Sequence, residues 1–197
     1  MISNNFLSHI PSLVNEENNS NLLKPYTEEE INNVIWDMEP DKAPSPDGFS
    51  AHFYKACWTI IKVDLLRMAK DFQKKAKVGG STKSTFLALI PKEVNPATFD
   101  RFRPISLCNV SYKILAKFLT NRIKPLLSKL ISPSQGGFVA GRHILDNVIL
   151  VQESMHSNNQ RKEQGMLIKL DMTNTFDRVK LSFLYKVLLS FGFTELL

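Results

Sequence analysis

The most informative segment of the sequence is residues 169–179, which read Lys169-Leu170-Asp171-Met172-Thr173-Asn174-Thr175-Phe176-Asp177-Arg178-Val179. The apolar run from Met166 to Met172 predicts a β-strand, and it places Asp171 near the C-terminal end of that strand. Phe176 follows five residues later, at a distance that one turn of chain spans. This segment therefore predicts a strand that delivers one carboxylate and one aromatic ring to the same site.

Most of the remaining chain has helical periodicity, so we predict an α+β fold that is mainly helical. Thr27 and Glu30 form a capping-box pattern before an apolar face that ends at Pro40. Two short apolar runs bounded by prolines predict strands. The other predicted elements are helices over 50–77, 111–130 with a kink at Pro125, near 143–157, and 181–191, and strands over 84–90 and 101–107. Residues 1–24 are polar and rich in Asn, and they predict a linker or tail.

Charge is distributed unevenly along the 197 residues. Residues 1–50 carry a net charge of −7, residues 51–80 of +5, residues 81–150 of +7 and residues 151–197 of +1. A basic block of this size favours a polyanion such as nucleic acid as partner, although a solvated basic surface explains it equally well.

Two cysteines, Cys57 and Cys108, lie too far apart in sequence for metal-type spacing and form no disulfide framework. No apolar run approaches the roughly 20 residues needed to cross a bilayer. We therefore expect no membrane association and an intracellular location, in the nucleus or the cytoplasm.

Asp171 is the candidate metal ligand. Nucleotidyl transfer uses divalent ions that activate the attacking hydroxyl and neutralise the leaving pyrophosphate, and Mg²⁺ prefers oxygen ligands. The Asp171 carboxylate, with the Met172 carbonyl, would supply such oxygens at a strand end. The alternative is that Asp171 caps a turn or pairs with Lys169 or Arg178.

Phe176 is a candidate for discriminating between sugars. A turn after Asp171 would place its ring beneath a bound nucleotide, where it would crowd a 2′ hydroxyl. An aromatic residue after a strand is also commonly part of the core.

Two further groups of residues are candidates for binding phosphate. Lys92 and Arg103 flank the predicted hairpin and would meet a triphosphate, Lys as a point charge and Arg as a bidentate fork. The turn from Gln135 to Arg142 contains three glycines that permit close approach of the backbone to a phosphate. Both groups also fit plain exposed loops.

The ordered set of motifs closely resembles the reverse transcriptase of LINE-type, non-long-terminal-repeat retrotransposons, most like the plant members. The resemblance covers roughly residues 24–193. The motifs are Lys42-Ala43-Pro44-Ser45-Pro46-Asp47-Gly48, Leu89-Ile90-Pro91-Lys92, Phe102-Arg103-Pro104-Ile105-Ser106-Leu107, Gln135-Gly136-Gly137-Phe138 through Gly141-Arg142, and Lys169-Leu170-Asp171 through Val179.

The resemblance implies roles for individual residues. Asp171 resembles the first catalytic metal ligand, binding Mg²⁺ together with Met172, and Phe176 resembles the steric gate against ribonucleotides. Lys92 and Arg103 resemble the residues that contact the incoming deoxynucleoside triphosphate. The residues that resemble the turn lining the RNA template and DNA primer are Gln135, Gly137, Phe138, Gly141 and Arg142.

The resemblance also implies a domain organisation. The chain would be a truncated reverse transcriptase fold that consists of the fingers and part of the palm of a right-hand polymerase. Residues 1–24 would be a linker, 25–80 a helical N-terminal extension, 81–160 the fingers and 161–197 the start of the palm. Ser45, Gly136-Gly137, Ala140 and Asn174-Thr175 depart from the family's frequent residues.

The sequence contains no two adjacent aspartates, although the family's palm has such a pair. We therefore expect this polypeptide to be inactive as a polymerase by itself. Two alternatives remain open at this stage, a nucleic-acid-binding fragment without catalysis and a transposon relic.

Overall fold

The computed structural model describes residues 4–43, 45–137, 139–162, 165–166, 168 and 178–195. The predicted strand from Met166 to Met172 thus lies largely outside the described residues. In chain order, the described elements are α1 (Asn4–Leu7), α2 (Glu16–Leu22), α3 (Glu28–Trp36), α4 (Ala51–Ala56), α5 (Trp58–Lys75), β1 (Thr85–Pro91), a 3₁₀ turn (Phe99–Arg101), β2 (Phe102–Cys108), α6 (Val110–Ile123), a 3₁₀ turn (Lys124–Leu126), α7 (Leu127–Leu130), α8 (Ile144–Arg161) and α9 (Leu181–Ser190).

The chain divides into two compact units. We call Lys24–Arg122 the hairpin unit, and Met1–Leu23 together with Ile123–Leu197 the terminal unit. The hairpin unit begins at Lys24, next to the boundary at which the predicted linker ends.

A helical core supports the hairpin unit. Helix α3 begins at the predicted capping box, in which the Thr27 side chain accepts from the Glu30 amide and the Glu30 carboxylate accepts from the Thr27 amide. Burying apolar side chains stabilises the fold by about 1.5–3 kcal/mol for each large residue. The buried residues of this core are Tyr26, Ile31, Val34, Ile35, Tyr54, Leu65, Ala69, Val110, Ile114, Leu115 and Phe118.

The two strands form an antiparallel hairpin whose register runs from Thr85 opposite Cys108 to Pro91 opposite Phe102. Prolines are tolerated in both strands because a two-stranded sheet consists of edge strands. No residue of either strand is buried. The hairpin therefore offers side chains to solvent on both faces.

A smaller apolar core holds the terminal unit together, formed by Val14, Leu22, Leu126 and Phe193. The amides of Leu13 and Val14 both donate to the Phe191 carbonyl at 2.9 Å. The residues predicted as a linker or tail therefore include two helices, α1 and α2, and contacts to Phe191. Their role as a linker stays a prediction.

Most predicted elements are confirmed within two or three residues at their ends. The helix predicted over 50–77 is interrupted at Cys57, where α4 ends and α5 begins. The helix predicted over 111–130 changes to a 3₁₀ turn that contains Pro125, as expected from the missing amide hydrogen of proline. The α+β, mainly helical prediction agrees with the described residues.

Candidate nucleotide and nucleic-acid interface

Lys92 and Arg103 lie on the same face of the hairpin. Arg103 is opposite Ile90 in the ladder, and Lys92 follows Ile90 by two residues. Because side chains alternate between the two faces of a strand, Ile90, Lys92 and Arg103 project from one face. The Lys92 amide donates to the Arg101 carbonyl at 2.8 Å, which continues the pairing past the end of β1. Lys92 and Arg103 are thus diagonal neighbours, for which spacings of roughly 7–8 Å are usual.

The Lys92 ammonium donates to the Asp100 carbonyl at 2.7 Å, across the connection between the strands. A neutral carbonyl is a weaker partner for an ammonium than a phosphate oxygen. The ammonium is therefore held at the connection between the strands, on the Asp100 side of Arg101, by a contact that an anionic ligand can replace.

The remaining charges at the tip of the hairpin largely compensate one another. Arg101 pairs with Glu93 at 3.4 Å and with Asp100 at 3.5 Å. A hydrogen bond from Thr98 is the main cause that lowers the pKa of the Asp100 carboxyl, so this group is an anion at neutral pH. With Lys92 and Arg103 included, three cations outnumber two carboxylates, and the tip has a small positive excess.

The face that presents Arg103 also presents apolar side chains. Phe86, Ile90 and Ile105 share this face by the register, and they are 57%, 45% and 42% exposed. Ile90 and Ile105 are the neighbours of Arg103, whereas Phe86 lies four residues before Ile90 along β1. Exposed aromatic and apolar surface on the same face as cations suits nucleotides, because bases stack on rings while phosphates bind cations. This combination makes the face the strongest candidate for nucleotide contact among the described residues.

Asn109, which was not among the residues predicted from sequence, fixes the base of the hairpin. It is buried and follows β2 directly. Its side-chain nitrogen donates to the Ser81 carbonyl at 2.9 Å, and its side-chain oxygen accepts from the Asp47 amide at 3.4 Å. Its position between a strand and a helix is the available sequence signal, since Asn is favoured where helices begin.

Within the Lys42 to Gly48 motif, residues 45–48 form a turn that Ser45 stabilises, and Pro44 lies outside the described residues. The buried Ser45 hydroxyl lies 2.9 Å from an Asp47 carboxylate oxygen and 2.8 Å from the Phe49 carbonyl. Gly48 has a φ of +78°, as expected for the predicted Asp-Gly turn. Serine at position 45, a departure from the family's frequent glycine, therefore has a defined structural use.

The glycine turn lies in the terminal unit. Gly141 has a φ of +78°, which glycine adopts without strain. A Cβ on Gly136 would lie 3.1 Å from the His143 carbonyl oxygen, and one on Gly137 would lie 3.6 Å from the side-chain nitrogen Nε2 of Gln135. The Gln135 side chain is exposed. The structure thus brings Gln135, Gly137, Gly141 and Arg142 together in one compact turn, while Phe138 lies outside the described residues.

Asp171, Met172 and Phe176 also lie outside the described residues. Within the described ranges, no group of three or more His, Cys, Asp or Glu side chains is arranged to hold a metal ion. The metal site and the sugar gate therefore stay predictions from sequence.

Comparison with known proteins gives the family. The model of the family described as reverse transcriptase (RNA-dependent DNA polymerase) matches residues 90–196, which include the end of β1, all of β2 and the glycine turn. The chain belongs to the reverse transcriptase family.

Two similar proteins indicate the branch of that family. The "Transposon TX1 uncharacterized 149 kDa protein" of Xenopus laevis is 30% identical over 181 residues, which are 92% of this chain and 14% of that protein. The "Retrovirus-related Pol polyprotein from type-1 retrotransposable element R2" of Popillia japonica is 23% identical over 176 residues, 87% of this chain and 23% of that protein. The resemblance to LINE-type, non-long-terminal-repeat elements is confirmed; the likeness to plant members stays a prediction. The chain spans less than a quarter of the length of either relative.

No helix among the described residues is both long and apolar enough to cross a membrane.

Proposed function

We propose that the chain supplies the fingers and the beginning of the palm of a reverse transcriptase that copies RNA into DNA from deoxynucleoside triphosphates. The observation that supports this most directly is the shared face of Lys92 and Arg103 on an exposed hairpin, within the segment that the family model matches. In this proposal residues 25–80 form a helical extension, 81–160 the fingers and 161–197 the start of the palm, and the protein works in the nucleus or cytoplasm.

Lys92 and Arg103 bind the triphosphate of the incoming nucleotide. The Lys92 ammonium exchanges the Asp100 carbonyl for a phosphate oxygen, and the Arg103 guanidinium offers two parallel N–H donors. The apolar side chains Ile90 and Ile105 border Arg103, and Phe86 lies further along the same face.

Asp171 and the Met172 carbonyl bind Mg²⁺ in this proposal. Both are oxygen donors, which fits a hard divalent ion. When bound, the metal activates the attacking hydroxyl and neutralises charge on the pyrophosphate. Phe176 excludes the 2′ hydroxyl of ribonucleotides. Template and primer lie against the turn formed by Gln135, Gly137, Phe138, Gly141 and Arg142.

Primer extension on an RNA template, with Mg²⁺ and the four deoxynucleoside triphosphates, tests for catalysis. The 197 residues contain no adjacent aspartates, so we expect no synthesis from this polypeptide. Synthesis that depends on template and Mg²⁺ would show that Asp171 does not need such a pair.

Nucleic-acid binding without catalysis is a second function for this polypeptide, favoured by the net charge of +12 over residues 51–150. Binding of single-stranded RNA over a series of salt concentrations tests it. We expect affinity to fall steeply with salt, because phosphate contacts release counterions. Absence of binding at low salt would favour the remaining alternative, a transposon relic.

A further inference from the structure

Arg142 directs its guanidinium into the protein backbone of its own turn. One terminal nitrogen donates to the carbonyls of Ser132 and Gln135, the latter at 3.0 Å. The other donates to the Ile131 carbonyl at 3.1 Å and lies 3.5 Å from the Ser128 carbonyl. Four main-chain carbonyls, from Ser128 in α7 to Gln135 in the glycine turn, therefore surround the Arg142 guanidinium.

These contacts occupy the donors that a phosphate would need. A guanidinium has five N–H groups, and four of them belong to the two terminal nitrogens. Bidentate recognition of a phosphate requires two parallel N–H groups. Both terminal nitrogens are thus engaged by carbonyls, and the Nε–H of Arg142 cannot form a bidentate contact alone.

The same contacts set the position of Gln135. The Gln135 amide donates to the Ser132 carbonyl at 3.0 Å, and the Gln135 carbonyl accepts from Arg142. The Arg142 amide closes the other side of the turn by donating to the Val139 carbonyl at 3.2 Å. The backbone of Gln135 is thereby fixed while its side chain stays exposed.

We infer that Arg142 is a positioning residue for template binding, which holds the turn so that the Gln135 side chain meets the nucleic acid. This inference rests on the proposed role of the turn in binding template and primer. Arg142 then contributes through geometry and does not form a phosphate contact.

Arg142→Lys and Arg142→Gln separate the two roles. Lysine keeps the positive charge but cannot satisfy four carbonyls with a planar fork. For a positioning residue, both variants weaken binding of single-stranded RNA by about tenfold, the loss expected for one hydrogen bond, with an unchanged salt dependence. For a phosphate contact, Arg142→Lys keeps the salt dependence and binds more tightly than Arg142→Gln, and Arg142→Gln reduces the slope of log K against log salt by about 0.7. The second pattern would overturn the inference.

A double-mutant cycle adds a measurement that general destabilisation would not reproduce. If Arg142 acts through Gln135, then Gln135→Ala combined with Arg142→Gln weakens RNA binding no more than either substitution alone. Additive losses would overturn the inference. Arg161→Gln, at the exposed C-terminal end of α8, is the matched control, and we expect it to lose less than twofold in affinity.

Hydrogen exchange of the chain without RNA gives an independent test. Both Arg142 variants should exchange the amides of residues 131–142 at least tenfold faster, with the amides of α3 and α6 unchanged. Unchanged exchange in 131–142 would overturn the inference. Failure of the unsubstituted chain to bind RNA at any salt concentration would instead overturn the proposed function on which the inference rests.

Discussion

The Arg122 guanidinium binds the Glu30 carboxylate in a bidentate pair, with nitrogen-to-oxygen distances of 3.0 and 2.9 Å. The side chain of Arg122 is only 11% exposed, and its guanidinium carbon lies 4.2 Å from the centre of the Tyr26 ring. It also donates to the Lys24 carbonyl. One residue at the end of α6 thus connects the first residues of the hairpin unit to α3.

Arg122→Ala should lower the free energy of unfolding by about 2–4 kcal/mol, because it removes several charge-assisted hydrogen bonds and the packing over Tyr26. Arg67→Ala is the control, since Arg67 forms a largely exposed pair with Asp64, worth about 0–0.5 kcal/mol. Urea unfolding followed by circular dichroism measures both. Equal stabilities of the two variants would show that the Arg122 contacts contribute no more than a surface ion pair.

Glu30 makes this stabilisation dependent on pH. Burial raises the pKa of the Glu30 carboxyl, but hydrogen bonds from Arg122 and Thr27 outweigh that effect, so the pKa lies below its ordinary value of 4.5. As the pH falls, the unfolded chain takes up the proton first. The stabilisation is therefore fully present above about pH 4.5 and is lost as the pH falls through the lower pKa of the folded state.

Glu30→Gln should have a lower free energy of unfolding than the unsubstituted chain. We expect a difference of about 1 kcal/mol at pH 6–7, since the partial exposure of Glu30 limits the effect. Glutamine keeps the capping-box contacts, so the lost charge dominates. The difference should shrink on acidification below pH 4.5; a difference that stays constant down to pH 3 would contradict this account.

Thr27→Ala should destabilise the chain by about 1 kcal/mol, because the Glu30 amide loses its capping oxygen, which lies 3.2 Å away. Thr120→Ala is a matched control, since the Thr120 hydroxyl only donates back to the Ala116 carbonyl within α6. We expect the control to change stability by less than 0.5 kcal/mol in either direction. Thermal unfolding of both variants checks the contrast, and a larger loss in Thr120→Ala would be contrary to it.

The elements that were predicted correctly depend on neighbouring residues. The start of α3 follows from Thr27 and Glu30, which are three residues apart, and the end of the regular α6 helix follows from Pro125. The helices between Asn4 and Leu22 were not predicted, although Asn15 and Asn18 form a local capping box at the start of α2. Contacts with distant residues also hold this segment. Asn19, for example, donates to the carbonyl of Gly192, 173 residues away.

In the candidate site, too, local sequence patterns predicted some features, whereas others depend on contacts between distant residues. The order of strands and the proline boundaries predict that Lys92 and Arg103 flank a hairpin. The role of Asn109 depends on contacts with Asp47 and Ser81, and a single sequence does not show which carbonyl or amide a buried amide side chain will meet. The surroundings of Arg142 were likewise not predictable. A basic residue after a glycine turn is as compatible with a phosphate contact as with hydrogen bonds to backbone carbonyls of its own turn.

Asn109→Ala should loosen the hairpin more than it affects the helical core. The substitution leaves the Ser81 carbonyl and the Asp47 amide without their partner, a loss of about 1–3 kcal/mol in a buried position. Hydrogen exchange should become faster in residues 85–91 and 102–108, while the amides of α3 keep their protection. Asn158→Ala, in an exposed part of α8, is the control and should leave the hairpin unchanged; uniform acceleration across the hairpin unit would argue against a local role for Asn109.

The central claim is that the hairpin face with Lys92 and Arg103 receives a triphosphate, and equilibrium binding of a fluorescent deoxynucleoside triphosphate tests it most directly. We predict that Lys92→Ala and Arg103→Ala each weaken binding by about 10-fold to 150-fold, the range expected for hydrogen bonds to a charged group. Arg103→Lys should bind the triphosphate less tightly than the unsubstituted chain, because lysine lacks the planar fork. Lys70→Ala, at an exposed position of α5, is the control and should bind as tightly as the unsubstituted chain. Unaltered binding by both alanine variants would contradict the account.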